Sequence, residues 1–289
     1  FTGLYILLAI HIMKGIKMEM SLESLTEKIL ELKKQGKVLE QIPVYRELLF
    51  AARQNYGTES NEVITILNDL GGILRYVGEY SEAESYLLES EKLIRKKYGT
   101  DNREYATCIL NLAELYRFMR EYDKALELYK KSMEIYSANG ENGYLYASVC
   151  NNLGLLYQDI KEYEKALELH EKSLEILGKL PDYRLEYGTT LNNLVLPYKL
   201  TGKREKAKKC TEEALEIFAG TVGKEHSLYS AALNNLAIFF YEEKEYKKAG
   251  DLFEESLRIC EKTFGKNSIN YKNLEENLKT VRAKTGEEL

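Results

Sequence analysis

Six times along the chain a polar residue stands directly before a leucine: Asp69-Leu70, Asn111-Leu112, Asn152-Leu153, Asn193-Leu194, Asn235-Leu236 and Asn277-Leu278. The leucines follow one another at intervals of 42, 41, 41, 42 and 42 residues. Self-similarity at a period of roughly 20–50 residues marks a stacked array, in which each copy buries its apolar face against the next. Such a chain needs no single globular core. Its long surface is generated by the repeat.

The third copy, Tyr105 to Ser137, shows the unit. Ala106, Ile109, Leu110, Leu112, Ala113, Tyr116 and Met119 recur at i, i+3, i+4 and i+7, the stripe of a helix with one buried face. A short polar turn, Arg120-Glu121, follows. A second stripe runs through Tyr122, Ala125, Leu126, Leu128, Tyr129, Met133, Ile135 and Tyr136 and stops at Asn139-Gly140. Each copy is therefore a helical hairpin. An alanine returns at one point of the second helix in the second to sixth copies (Ala83, Ala125, Ala166, Ala207, Ala249), where a methyl lets the two helices approach closely. An aromatic opens that helix at Tyr80, Tyr122, Tyr163 and Tyr246, with Arg204 as the exception. Gly78 and Gly202 mark turns within copies, and Gly99, Gly223 and Gly265 mark turns between them.

The same spacing sets the limits of the array. Gly36 and Gly57 lie one period before Gly78 and Gly99, so a degenerate first copy spans 22–57. Further copies span 60–99, 102–140, 142–180, 183–222 and 226–265, and a lone helix over 268–286 caps an end that would otherwise expose an apolar face. The reading is one all-α solenoid over residues 22–289. Residues 1–21 stand apart: Leu4 to Met13 is an unbroken apolar run, followed by Lys14 and Lys17. The run is short of the roughly 20 residues that span a bilayer. A clipped anchor, the core of a signal segment, translation upstream of a start at Met18 or Met20, and an extra helix docked on the first copy are the alternatives. The docked helix is the preferred one.

Composition removes several classes of function. Net charge is -5, with both signs interspersed, which lacks the basic excess of a dedicated nucleic-acid binder. The basic run Lys199, Lys203, Arg204, Lys206, Lys208 and Lys209 is interleaved with Glu205 and followed by Glu212 and Glu213, as on a solvated face. Cys108, Cys150, Cys210 and Cys260 form no closely spaced pair, which argues against a metal site and for buried thiols in a reducing, cytoplasmic setting. His170 takes the place of Tyr129 and Phe253 in other copies and reads as a packing residue. No phosphate loop or nucleophile elbow is present. The expectation is a protein without cofactor, metal or catalytic role, and without a membrane or nucleic-acid partner for the array.

Leu153-Gly154-Leu155-Leu156-Tyr157 followed by Tyr163-Glu164-Lys165-Ala166 resembles the tetratricopeptide repeat. The longer period, Leu191-Asn192-Asn193-Leu194, its echo Leu233-Asn234-Asn235-Leu236, and the linker Val222 to His226 are similar to the kinesin-light-chain subclass. The resemblance implies a right-handed superhelix whose first helices line a concave groove. It also implies that the asparagine before the leucine grips the backbone of an extended peptide: Asn111, Asn152, Asn193, Asn235 and Asn277. In the second copy Asp69 replaces the asparagine and Gly71-Gly72 follow, which departs from that pattern.

Chemistry supports the same residues independently. An asparagine amide offers two donors and an acceptor without charge, matching the alternating N–H and C=O of an extended chain. The competing reading is that each amide bonds to the neighbouring copy and sets the superhelix. Asn68, Asn151, Asn192 and Asn234, one position earlier, lie about 100° around the helix and read as packing residues. Five residues after each leucine stand Arg75, Arg117, Gln158, Lys199 and Tyr241; if they border the groove, its first half is cationic. Pro197 interrupts a first helix and frees the carbonyl of Asn193, which on this reading becomes a groove-facing acceptor. The expected function is a scaffold or adaptor holding an extended peptide or partner protein. The alternatives are a peptide-responsive bacterial signalling regulator acting on an output domain, and a purely structural, oligomerising role.

Overall fold

The computed structural model describes residues 21–286. Among them run thirteen α-helices and no strand: α1 Leu22–Lys34, α2 Val38–Tyr56, α3 Asn61–Val77, α4 Tyr80–Tyr98, α5 Arg103–Phe118, α6 Tyr122–Ala138, α7 Tyr144–Asp159, α8 Tyr163–Leu177, α9 Arg184–Leu200, α10 Arg204–Thr221, α11 Ser227–Glu242, α12 Tyr246–Phe264 and α13 Ile269–Thr285. A 3₁₀ turn, Pro181–Tyr183, precedes α9. Of the segment read at residues 1–21, all but Ser21 lies outside the described residues. None of the described helices is long and apolar enough to cross a membrane.

Local chemistry starts and stops these helices. The side chains of Ser21, Ser60, Asn102 and Ser268 each accept the backbone N–H three residues on, capping α1, α3, α5 and α13. The turn inside each hairpin passes through one left-handed residue. Glycine holds it at Gly36, Gly78 and Gly202, while Arg120, Lys161 and Lys244 hold it at φ of 62°, 65° and 64°. All three sit where a side chain is disfavoured.

Each hairpin closes on the small residues the spacing singles out, since Ala83, Ala125, Ala166, Ala207 and Ala249 are wholly buried. At Gly71 and Gly154 of the first helices the facing side chain fills the space. A Cβ on Gly71 would lie 2.6 Å from Leu87, and one on Gly154 would lie 2.7 Å from the His170 ring. The four cysteines are buried free thiols. Burial pushes Cys108 up to about 12 and Cys150, Cys210 and Cys260 up to about 11, so none is an activated nucleophile.

Curvature follows from which helices touch. The first helices of neighbouring hairpins pack on one another along α3, α5, α7, α9 and α11, whereas the second helices do not pack closely on each other. The array therefore bends with its first helices inward. After five hairpins it meets itself, because α2 packs against α12. A Cβ on Gly36 would lie 3.3 Å from the His226 ring, and one on Gly265 would lie 3.5 Å from Leu39. Ion pairs Arg46–Glu82 and Arg53–Glu89 lace the second helices α2 and α4 together, and Arg258 of α12 pairs with Glu225 in the turn before α11. They are largely exposed and are worth at most about 1 kcal/mol each.

Candidate functional site

The inward first helices carry the asparagines in a row, and a regular pattern of amide bonds joins them. Nδ2 of Asn111 donates to Asn68 (3.4 Å), Asn193 to Asn151 (3.2 Å), Asn235 to Asn192 (2.8 Å) and Asn277 to Asn234 (3.1 Å). In these four cases the asparagine before the leucine reaches back to the asparagine one position earlier in the preceding hairpin. These bonds correct the reading of Asn68, Asn151, Asn192 and Asn234 as plain packing residues, since they are the acceptors that orient the row. Asn111, Asn193, Asn235 and Asn277 remain half-buried, and each keeps its Oδ1 and one N–H without a partner among the described residues.

Asn152 differs. The acceptor position in the hairpin before it holds Leu110, a buried apolar residue, so no amide is there to receive its N–H. Asn152 is half-buried and makes no side-chain hydrogen bond among the described residues. Its whole amide is uncommitted. In the second hairpin Asp69 accepts from the Tyr45 hydroxyl at 2.6 Å and pairs with Lys33 at 3.3 Å. Burial, reinforced by that carboxylate, raises the Tyr45 pKa and keeps the phenol protonated as the donor.

Beside Asn152 a closed polar circuit ties the fourth hairpin to the fifth. Pro197 has no N–H to give the carbonyl of Asn193. Gln158 Nε2 donates to that carbonyl at 2.9 Å and to His170 Nε2 at 2.7 Å. Since that imidazole nitrogen accepts, the His170 proton sits on Nδ1 and is donated to Asn151 Oδ1 at 2.9 Å. Asn151 Oδ1 also receives Nδ2 of Asn193, which closes the circuit. Burial lowers the His170 pKa to about 3, so the ring is neutral. The proline therefore leaves no open acceptor in the groove, because Gln158 takes it.

The cationic border expected from Arg75, Arg117 and Lys199 is also corrected. Arg75 is only 4% exposed and pairs with Glu114 at 2.7 Å. Arg117 pairs with Asp159 at 2.7 Å, and Lys199 with Glu242 at 2.6 Å. Arg75 lies over the Tyr76 ring, and Arg117 over the Phe118 ring. Each cation thus reaches forward to a carboxylate of the next hairpin and is consumed in joining neighbours. Arg204 and Lys208 of the basic run likewise meet Glu242 and Glu243. The charge that remains in the row is small, and its polarity is that of neutral amides.

A tetratricopeptide repeat profile matches residues 62–138, 145–220 and 228–288. Among solved structures, BtubC (BKLC) from P. vanneervenii is 26% identical, with 70% of this chain and 81% of that chain covered and a TM-score of 0.54. A putative kinesin light chain from Podosopora anserina with nearly identical repeats is 20% identical, covering 69% and 96%, with a TM-score of 0.51. A Rap protein complexed with competence and sporulation factor is 14% identical, covering 90% and 74%, with a TM-score of 0.63. A search of curated proteins returns no match.

Proposed function

The chain belongs to the tetratricopeptide repeat family, and on that premise we propose that it is a non-catalytic interaction scaffold that grips the main chain of an extended peptide or partner segment along its inward first helices. The observation that carries this reading is the row of half-exposed asparagine amides. Four of them are held in place by one bond to the preceding hairpin, with an acceptor and a donor left over. The fifth, Asn152, is wholly free. Stacked first helices lie about 10 Å apart, on the order of three residues of extended chain. A ligand therefore meets one amide every few residues. Each main-chain bond adds about 0.5–1.5 kcal/mol net, so useful affinity requires several together.

The grip is on backbone, so side-chain preference is broad and falls to the residues around the row. A library of extended peptides, screened against the wild type and the Asn152→Ala/Asn193→Ala double variant, tests the reading. Retention by the wild type and loss by the variant are expected, whereas equal retention removes it.

A second reading draws on the contact between α2 and α12. A ligand spanning the row touches hairpins whose relative placement that contact fixes, which suits a regulator whose array changes shape on binding and acts on an output domain. A ligand-dependent change in radius of gyration would favour this over a static scaffold.

A further inference from the structure

At the end of the row α11 and α13 do not pack closely on one another, unlike the first helices from α3 to α11. The gap is a pocket of about 270 Å³ lined by six asparagines: Asn192 of α9, Asn234 and Asn235 of α11, and Asn270, Asn273 and Asn277 of α13. None of its lining residues is charged. Buried Ser230, Cys260 and Leu274 form its floor, and Phe264 adds an apolar wall. The fold uses little of this amide capacity. Asn235 donates to Asn192 at 2.8 Å and Asn277 to Asn234 at 3.1 Å, which orients the four. Among the described residues, Asn192 and Asn234 keep both N–H groups without a partner, and Asn235 and Asn277 keep an acceptor and a donor. Asn270 and Asn273 are exposed and make no side-chain hydrogen bond among the described residues. In the second to sixth copies the position of Asn270 holds glutamate or leucine, and that of Asn273 holds threonine, serine or alanine. Asparagine inside a helix costs propensity, and Asn273 recovers none of it through a bond within the fold.

We propose that this pocket takes the carboxamide side chain of a glutamine or asparagine in the bound segment. The inference rests on the peptide-binding reading and adds a side-chain requirement to it. Asn273 and Asn270 stand one and two turns before Asn277, about 6 and 10 Å along α13, off the line that a gripped main chain follows. What reaches them is a side chain of the ligand. The pocket has the volume of about nine waters, enough for one such side chain. A carboxamide offers two donors and an acceptor, and pairs head to head with an asparagine through two bonds, whereas a hydroxyl has a single hydrogen to give. A carboxylate of the same shape has no hydrogen for Oδ1 of Asn235 or Asn277, and its charge meets no cation among the lining residues. An apolar side chain would strip water from the amides and replace none of its bonds.

Peptides that the full chain selects from an extended-peptide library are sequenced, and one is remade with its carboxamide residue changed to glutamate and to leucine. Enrichment of glutamine or asparagine at one position is expected, with calorimetric affinity at least about fivefold weaker for either changed peptide. The same three peptides are then measured against Asn270→Ala/Asn273→Ala, which removes two exposed side chains and favours the helix. The variant should still bind, with the difference between the peptides narrowed to about twofold. Selected peptides without such a position, or a difference that the variant leaves intact, overturn the proposal and leave the main-chain grip standing. Failure of the wild type to retain any peptide overturns both.

Discussion

At the scale of single residues, two features depart from what the repeat prefers, and both make predictions. Arg120, Lys161 and Lys244 hold left-handed turns that glycine holds elsewhere. A side chain there costs about 1–2 kcal/mol, part of which glycine returns as unfolded-state entropy. Arg120→Gly, Lys161→Gly and Lys244→Gly should each raise stability by about 0.5–1 kcal/mol in chemical denaturation, and a loss would contradict the turn geometry. His170 is the second. Its folded pKa, about 3, lies below the ordinary value near 6.5 because burial disfavours the charge. Between those values the unfolded chain binds a proton that the folded chain refuses. Stability is therefore present above about pH 6.5 and falls as pH drops toward 3, by about 1.4 kcal/mol per unit. Burial also lowers the His226 pKa and adds to the same trend. In His170→Leu, a side chain that Leu87 shows to fit opposite glycine, the slope over this window should shrink. An unchanged slope would place the titration elsewhere.

At the scale of elements, the helices were legible because burial is periodic. The leucines at 70, 112, 153, 194 and 278 are all buried, as are the alanines of the second helices, and neither depends on a distant neighbour. The links between hairpins were less legible. That each asparagine reaches back to an earlier asparagine was written in the doublets Asn151-Asn152, Asn192-Asn193 and Asn234-Asn235. Leu110, the one apolar residue in the acceptor series, marked in advance the amide that stays free. Arg75 and Arg117 misled because a cation five residues past the leucine looks the same whether it faces solvent or a carboxylate of the next hairpin. Only packing separates the two cases. Pro197 carries a prediction at this scale. Proline inside a helix costs about 3 kcal/mol, and part of that is offset here by Gln158 taking the freed carbonyl. Pro197→Ala should stabilise the chain by about 1–2 kcal/mol in thermal unfolding. Destabilisation would mean that the circuit through Gln158 and His170 is worth more than the helix bond it replaces.

At the scale of the whole molecule, the meeting of α2 with α12 was not readable from any single copy, because it sums the rotation of five hairpins. It rests on few side chains. Leu39→Arg places a charge against Gly265 while altering a residue already 43% exposed. Small-angle scattering should show a larger radius of gyration with helical content unchanged, and an unchanged radius would mean that stacking alone fixes the curve. The proposed role depends on that curve, since it turns the amides toward one another and lines them along one path. Affinity of a library-selected peptide for Asn152→Ala, measured by calorimetry beside the wild type, tests the central claim most directly. Loss of this amide should weaken binding about two- to tenfold while stability is unchanged, because that side chain makes no hydrogen bond among the described residues. Equal affinity would contradict a main-chain grip by the asparagine row.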